Sequence, residues 1–159
     1  MMNKKPYKKS PDIIGDDDAD TAKLRELAIA AENYIQSFSW CPPIKDMYFA
    51  YGVGGIVAVF IVEFLQRIQG YDEELWIVVG DVPSAYLVVE PMDDEAQALE
   101  RYCELMDQWI TAVRNADDLS KVFPVSAEPT VKHVNMLRSR IELLRSALIP
   151  RIDRRMERT

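Results

Sequence analysis

The sequence predicts an α+β fold: an antiparallel β-meander of three to four strands packed by three helices, in the order α-β-β-β-α-α. Three observations carry that expectation. Short apolar runs rich in β-branched residues, IVAVFIV (56–62), LWIVV (75–79) and AYLVV (85–89), follow one another at close spacing. One segment before them and two after them repeat apolar residues every three or four positions. Strands and helices are grouped along the chain rather than alternating, which points away from a parallel βαβ sheet.

Residues 1–19 read as a flexible N-terminal arm: lysines, Pro6, Pro11 and Gly15 lead into the acidic run DDDAD, with little to bury. A single domain is expected over 20–150 and a basic tail over 151–159. The first helix is expected to open at Asp20 or Thr21, either of which can cap orphan amides. Its stripe is Leu24, Leu27, Ala28, Ala31, Tyr34, Ile35 and Phe38, and WCPP (40–43) stops it.

The stretch MYFAYGVGGIVAVFIVEFL (47–65) carries one charge, Glu63, and has the length of a membrane crossing. Gly52, Gly54 and Gly55 break its first half, and each weakens a helix by about 1 kcal/mol relative to alanine. What remains continuous has strand length. The stretch therefore reads as a glycine loop feeding a strand from about 54 to 64, with no transmembrane span. Both faces of that strand are apolar, so both need cover. Further strands are expected over 75–80 and 84–90, joined by the tight turn GDVPS, where Pro83 fixes φ.

After Pro91 a long helix is expected, with Asp93, Asp94 and Glu95 in its first turn and a stripe from Ala96 to Val113. VFPV (122–125) has the composition of a short edge strand. The last helix opens at Pro129–Thr130, carries Val134, Leu137, Ile141, Leu144 and Leu148, and is expected to end at Pro150.

The chain has 159 residues and a formal net charge of −7, unevenly spread. Residues 1–10 hold four lysines and no acid, and 138–159 hold seven arginines against three acids, so each end carries +4 and residues 11–137 carry −15. An acidic body repels nucleic acid and attracts basic partners, although acids also serve plain solubility. Two cysteines, Cys41 and Cys103, are too few for a disulfide framework and read as reduced thiols. The basic N-terminus lacks the apolar segment of a signal peptide, so a cytoplasmic location is expected.

No catalytic or cofactor motif stands out. YGVGG (51–55) precedes a strand, whereas a dinucleotide loop follows a strand and opens a helix; close backbone approach or a bend explains the glycines better. Asp16, Asp17, Asp18 and Asp20 lack the spacing of a calcium loop. His133 is the sole histidine, and nothing in the sequence ties it to a nucleophile or to a zinc ligand set. No cofactor and no metal are expected.

The expectation is a small acidic protein that binds another protein with a basic surface, such as an immunity-type inhibitor of a toxin or effector domain. The acidic loops carrying Asp72, Glu73 and Glu74, Asp93, Asp94 and Glu95, and Asp117 and Asp118 would meet the partner. Trp76, Tyr71 or Trp40 would anchor it; Asp81 and Ser84, beside Tyr86, either simply tie their turn together, the reading that turn chemistry favours, or form a further recognition point. Two alternatives stand beside this: a small enzyme or ligand-binding domain with a pocket between sheet and helices, and a structural or adaptor homodimer pairing through a surplus apolar sheet face or the last helix.

Overall fold

The computed structural model describes residues 7–66 and 73–157. The chain is α+β and divides into two compact units, Met1–Asp93 and Asp94–Thr159.

The first unit is a five-stranded antiparallel sheet with one helix. Its strands are β1 (Lys8–Lys9), β2 (Ile44–Val53), β3 (Val57–Phe64), β4 (Glu74–Gly80) and β5 (Ala85–Val88), in the spatial order β1-β2-β3-β4-β5. The sheet thus has two strands more than the three read from the sequence. β2 occupies MYFAYGV, which the glycines had marked as a loop. Register shifts between Ile44 and Asp46 and between Phe49 and Tyr51 make it bulged. Each bulge flips the side-chain alternation, so the period of two that would announce a strand is lost. The candidate membrane stretch is accordingly two strands and a turn, and no described helix is long and apolar enough to cross a membrane.

Within the segment read as a lead-in, Lys8 and Lys9 pair with Phe49 and Tyr48, a 3-10 turn spans Ser10–Asp12, and Ile13 is buried. Helix α1 (Asp18–Gln36) begins two residues earlier than expected because Asp17 is the cap, its carboxylate accepting from the Asp20 amide at 2.7 Å. The stripe falls where the spacing places it. Leu24, Ala28, Ala31 and Ile35 are buried in one cluster with Ile13, Met47, Ala58, Phe60, Val62, Phe64, Leu75, Ile77 and Val79. Val57, Val59, Ile61, Trp76 and Val78, on the opposite face of the sheet, are also buried. Each such side chain is worth about 1.5–3 kcal/mol of transfer free energy, so β3 and β4 form the backbone of this core.

The glycines of YGVGG serve close approach. A Cβ on Gly52 would stand 2.7 Å from Leu24 Cδ2, and one on Gly54 would stand 2.5 Å from Asp20 Oδ1. The Gly54 amide instead donates to that oxygen at 2.7 Å, tying the β2–β3 turn to the start of α1.

The second unit is helical. Helix α2 (Glu95–Arg114) opens on a capping box formed by Asp94 and Gln97. Its stripe Ala96, Leu99, Tyr102, Cys103, Met106, Trp109 and Ile110 is buried. Helix α3 (Val131–Leu143) starts at the cap Thr130, runs through a π turn (Leu144–Leu148) and continues as α4 (Ile149–Glu157). Pro150 therefore does not end the helix. It lacks the amide that an α-helical bond back to Ser146 would need. The π turn just before it, where the Ile149 amide bonds back to Leu144, loosens the helix by one residue at that place. VFPV forms no strand; a 3-10 turn, Leu119–Lys121, precedes it. α3, the π turn and α4 all pack on α2.

Candidate partner-binding surface

Register fixes which residues share an end of the sheet. Glu63 on β3 stands opposite Glu74 on β4, and Leu75 stands opposite Val88 on β5. The exit of β3, the entry of β4 and the exit of β5 thus lie together. Glu63, Glu73, Glu74, Glu90 and Asp93 belong to this end, as do three of the large apolar residues exposed in the chain: Leu65 at 60%, Val88 at 43% and Met92 at 90%. Glu73 and Glu74 from one loop nominated in the sequence, and Asp93 from another, contribute to it.

The acids here differ in what they do. Glu74 is 7% exposed, whereas Glu73 and Glu90 are exposed. Glu63 lies 3.8 Å from Lys45 Nζ. Asp93 is structural as well as acidic: its Oδ2 accepts from the Glu90 amide at 2.9 Å and from the Trp76 indole at 3.0 Å. Asp94 caps α2 in the second unit. Asp72 and Tyr71 lie outside the described residues.

Of the aromatic residues nominated as anchors, Trp76 and Trp40 are described, and neither is an exposed side chain. Trp76 is fully enclosed, with its one donor given to Asp93. Trp40 stacks on Phe38 at 5.2 Å and meets Tyr86 edge-on at 5.2 Å, while Tyr34 meets Phe38 edge-on at 5.2 Å. These half-buried rings pack against the α1 side of the core. Burial there, and then the neighbouring Tyr86, push the Tyr34 hydroxyl well above its ordinary range. Asp81 and Ser84 lie at the opposite end of the sheet, where the Asp81 amide donates to Ile56 at 2.8 Å. Gly80 beside them, at φ 141°, has no room for a Cβ, which would stand 2.4 Å from the Ile56 oxygen.

In the second unit, Asp117 and Asp118 line an open groove of about 610 Å³ with Asp107, Gln108, Thr111 and Lys121. Hydrogen bonds from the Ser120 hydroxyl and amide hold the Asp118 carboxyl below its usual range. Asp107 is engaged by Arg145, whose guanidinium also reaches Glu100 at 3.1 Å. His133 lies in the first turn of α3: its amide donates to the cap Thr130 Oγ1 at 3.3 Å, and its Nδ1 lies 2.8 Å from the same oxygen. Among the described residues no group of three or more His, Cys, Asp or Glu is arranged to hold a metal ion.

What sequence reading missed at this surface is Met92. A signal was present: Pro91 followed by a residue two places before a helix cap marks a turn, and turn tips are exposed. No family model, curated protein or solved structure matches the chain.

Proposed function

We propose that this chain is a protein-binding protein that recognises a partner with a basic surface, as an immunity-type inhibitor neutralises a toxin or effector domain. The observation that carries the reading is one end of the first unit's sheet, which brings together Glu73, Glu90 and Asp93 with the exposed apolar residues Leu65, Val88 and Met92. Apolar contacts ringed by charge are the usual anatomy of a protein interface. The acids steer a basic partner inward and reject acidic ones, and the apolar centre supplies the area that water vacates.

The test is retrieval of the tagged full-length chain from its own cells at low and at high salt. The expected result is one stoichiometric partner of basic isoelectric point, weakened at high salt because exposed charges are screened beyond about 8 Å at physiological ionic strength. Recovery of the chain alone, or of an acidic partner, sinks the reading.

A further inference from the structure

We infer that Met92 is the docking knob of this surface, presented by a pinned turn so as to enter an apolar pocket with a basic rim on the partner. The inference rests on the protein-binding reading above and names its central contact.

Met92 is 90% exposed, the most exposed of the large apolar side chains in the described chain. Its backbone is left-handed, with φ 64°. Pro91 precedes it and the Asp93 amide returns to the Glu90 oxygen at 3.2 Å, the marks of a type II turn. The position after the proline in such a turn calls for glycine or asparagine, since a Cβ is strained there. A methionine that is both strained and turned to water is doubly unfavourable in the isolated chain. Strain of this kind persists where the surroundings impose it, and it gathers at recognition sites.

The surroundings do impose it. One carboxylate oxygen, Asp93 Oδ2, holds the Glu90 amide at 2.9 Å and the indole of Trp76 at 3.0 Å, and Trp76 is itself wholly enclosed. The turn is thereby fastened to the rigid centre of the sheet. A knob fixed in place loses little freedom on docking. Its tip, a flexible thioether, adapts to an irregular pocket. Exposed Glu90 and the half-buried Asp93 flank it, so the matching rim is basic. Leu65 and Val88 are also exposed at this end of the sheet.

The experiment compares the wild-type chain with M92G and M92L, using the purified partner from the retrieval above as the probe. Glycine relieves the strain, so M92G is expected to melt at or above the wild-type temperature yet bind at least tenfold more weakly. M92L, which keeps an apolar tip, is expected to stay within a few-fold of wild type. Equal affinity for wild type and M92G overturns the knob while leaving the protein-binding reading standing. Failure to retrieve any partner overturns both. Sedimentation of the wild type alone covers the remaining case: self-association abolished by M92G would show that a second copy, not a basic partner, receives the side chain.

Discussion

Cys103 lies on the buried stripe of α2, and burial pushes its thiol up to about 12 from an ordinary value near 9.0, with Arg145 pulling the other way. A group whose folded value is raised stabilises the fold fully below its unfolded value and ceases to do so as pH climbs through the folded one. Stability should therefore fall between about pH 9 and 12, by up to about 1.4 kcal/mol per pH unit. Tyr34, raised chiefly by burial, adds to the loss from about pH 10 upward. Urea titrations at pH 8, 9.5 and 10.5 measure the slope, and Cys103→Ala should flatten its lower half. At pH 8 the native thiol should resist a disulfide reagent until the chain unfolds. A second expectation concerns Ala116, at φ 54° just past α2. The Asp117 amide bonds back to Ala112 at 2.8 Å and the Ala116 amide to Val113 at 3.2 Å, a Schellman closure that ordinarily takes glycine. Ala116→Gly should raise stability by about 0.5–1 kcal/mol, readable in a thermal melt, because relief of left-handed strain outweighs glycine's extra unfolded freedom.

Asp20 joins elements 34 residues apart: one oxygen takes the Gly54 amide at 2.7 Å and the other the Asp16 amide at 2.9 Å. Asp20→Ala leaves both donors without their partner and should cost about 1–3 kcal/mol. Gly54→Ala should be at least as damaging, since its Cβ would collide with the same carboxylate; paired denaturation curves compare the two. The sequence shows DDDAD as an acidic run beside a helix start, and nothing in local spacing reveals that Asp20 reaches a hairpin 34 residues on. The same boundary separates what could and could not be read among the elements. α1, α2 and α3 were legible because a period of 3.6 survives intact along each. β3, β4 and β5 were legible as β-branched runs. β2 was not, because its two bulges cancel alternation, and β1 was not, because Lys8–Lys9 carries no apolar signal and is defined only by its partner. Pro150 looked terminal because the π turn that accommodates it has no sequence mark. At the candidate surface, the acids at 73, 74 and 93 were legible as charge, but their convergence follows from strand register. Trp76 was misplaced as an anchor because a tryptophan on a strand can face the core or the solvent, and the pattern LWIVV is apolar on both sides.

Charge was legible in total but not in its partition. The sequence shows basic ends around an acidic body. The fold instead divides the chain into a first unit that carries the whole −7 and a second unit with eleven acids and eleven bases, net zero. The C-terminal arginines over 138–153 belong to the helix that packs on α2, and Arg145 is paired with Glu100 and Asp107. A long-range field of a neutral unit is weak, so any steering of a basic partner originates in the first unit. This makes a directional prediction. Reversing Glu73 and Glu90 to lysine changes the first unit from −7 to −3, while reversing Asp117 and Asp118 shifts the neutral unit to +4, the same increment of four charges. If approach is governed by net charge, both pairs should slow association equally. If it is governed by the field at the sheet end, the Glu73/Glu90 pair should lower the association rate by about tenfold at low salt, within the range that steering supplies, and the Asp117/Asp118 pair by much less. Stopped-flow association rates across a salt series separate the cases. The difference should shrink toward nothing as screening shortens to about 3 Å near 1 M salt. Dissociation should change less than association, because rim charges act mainly on encounter. Equal slowing by the two pairs would remove the sheet end as the site of approach.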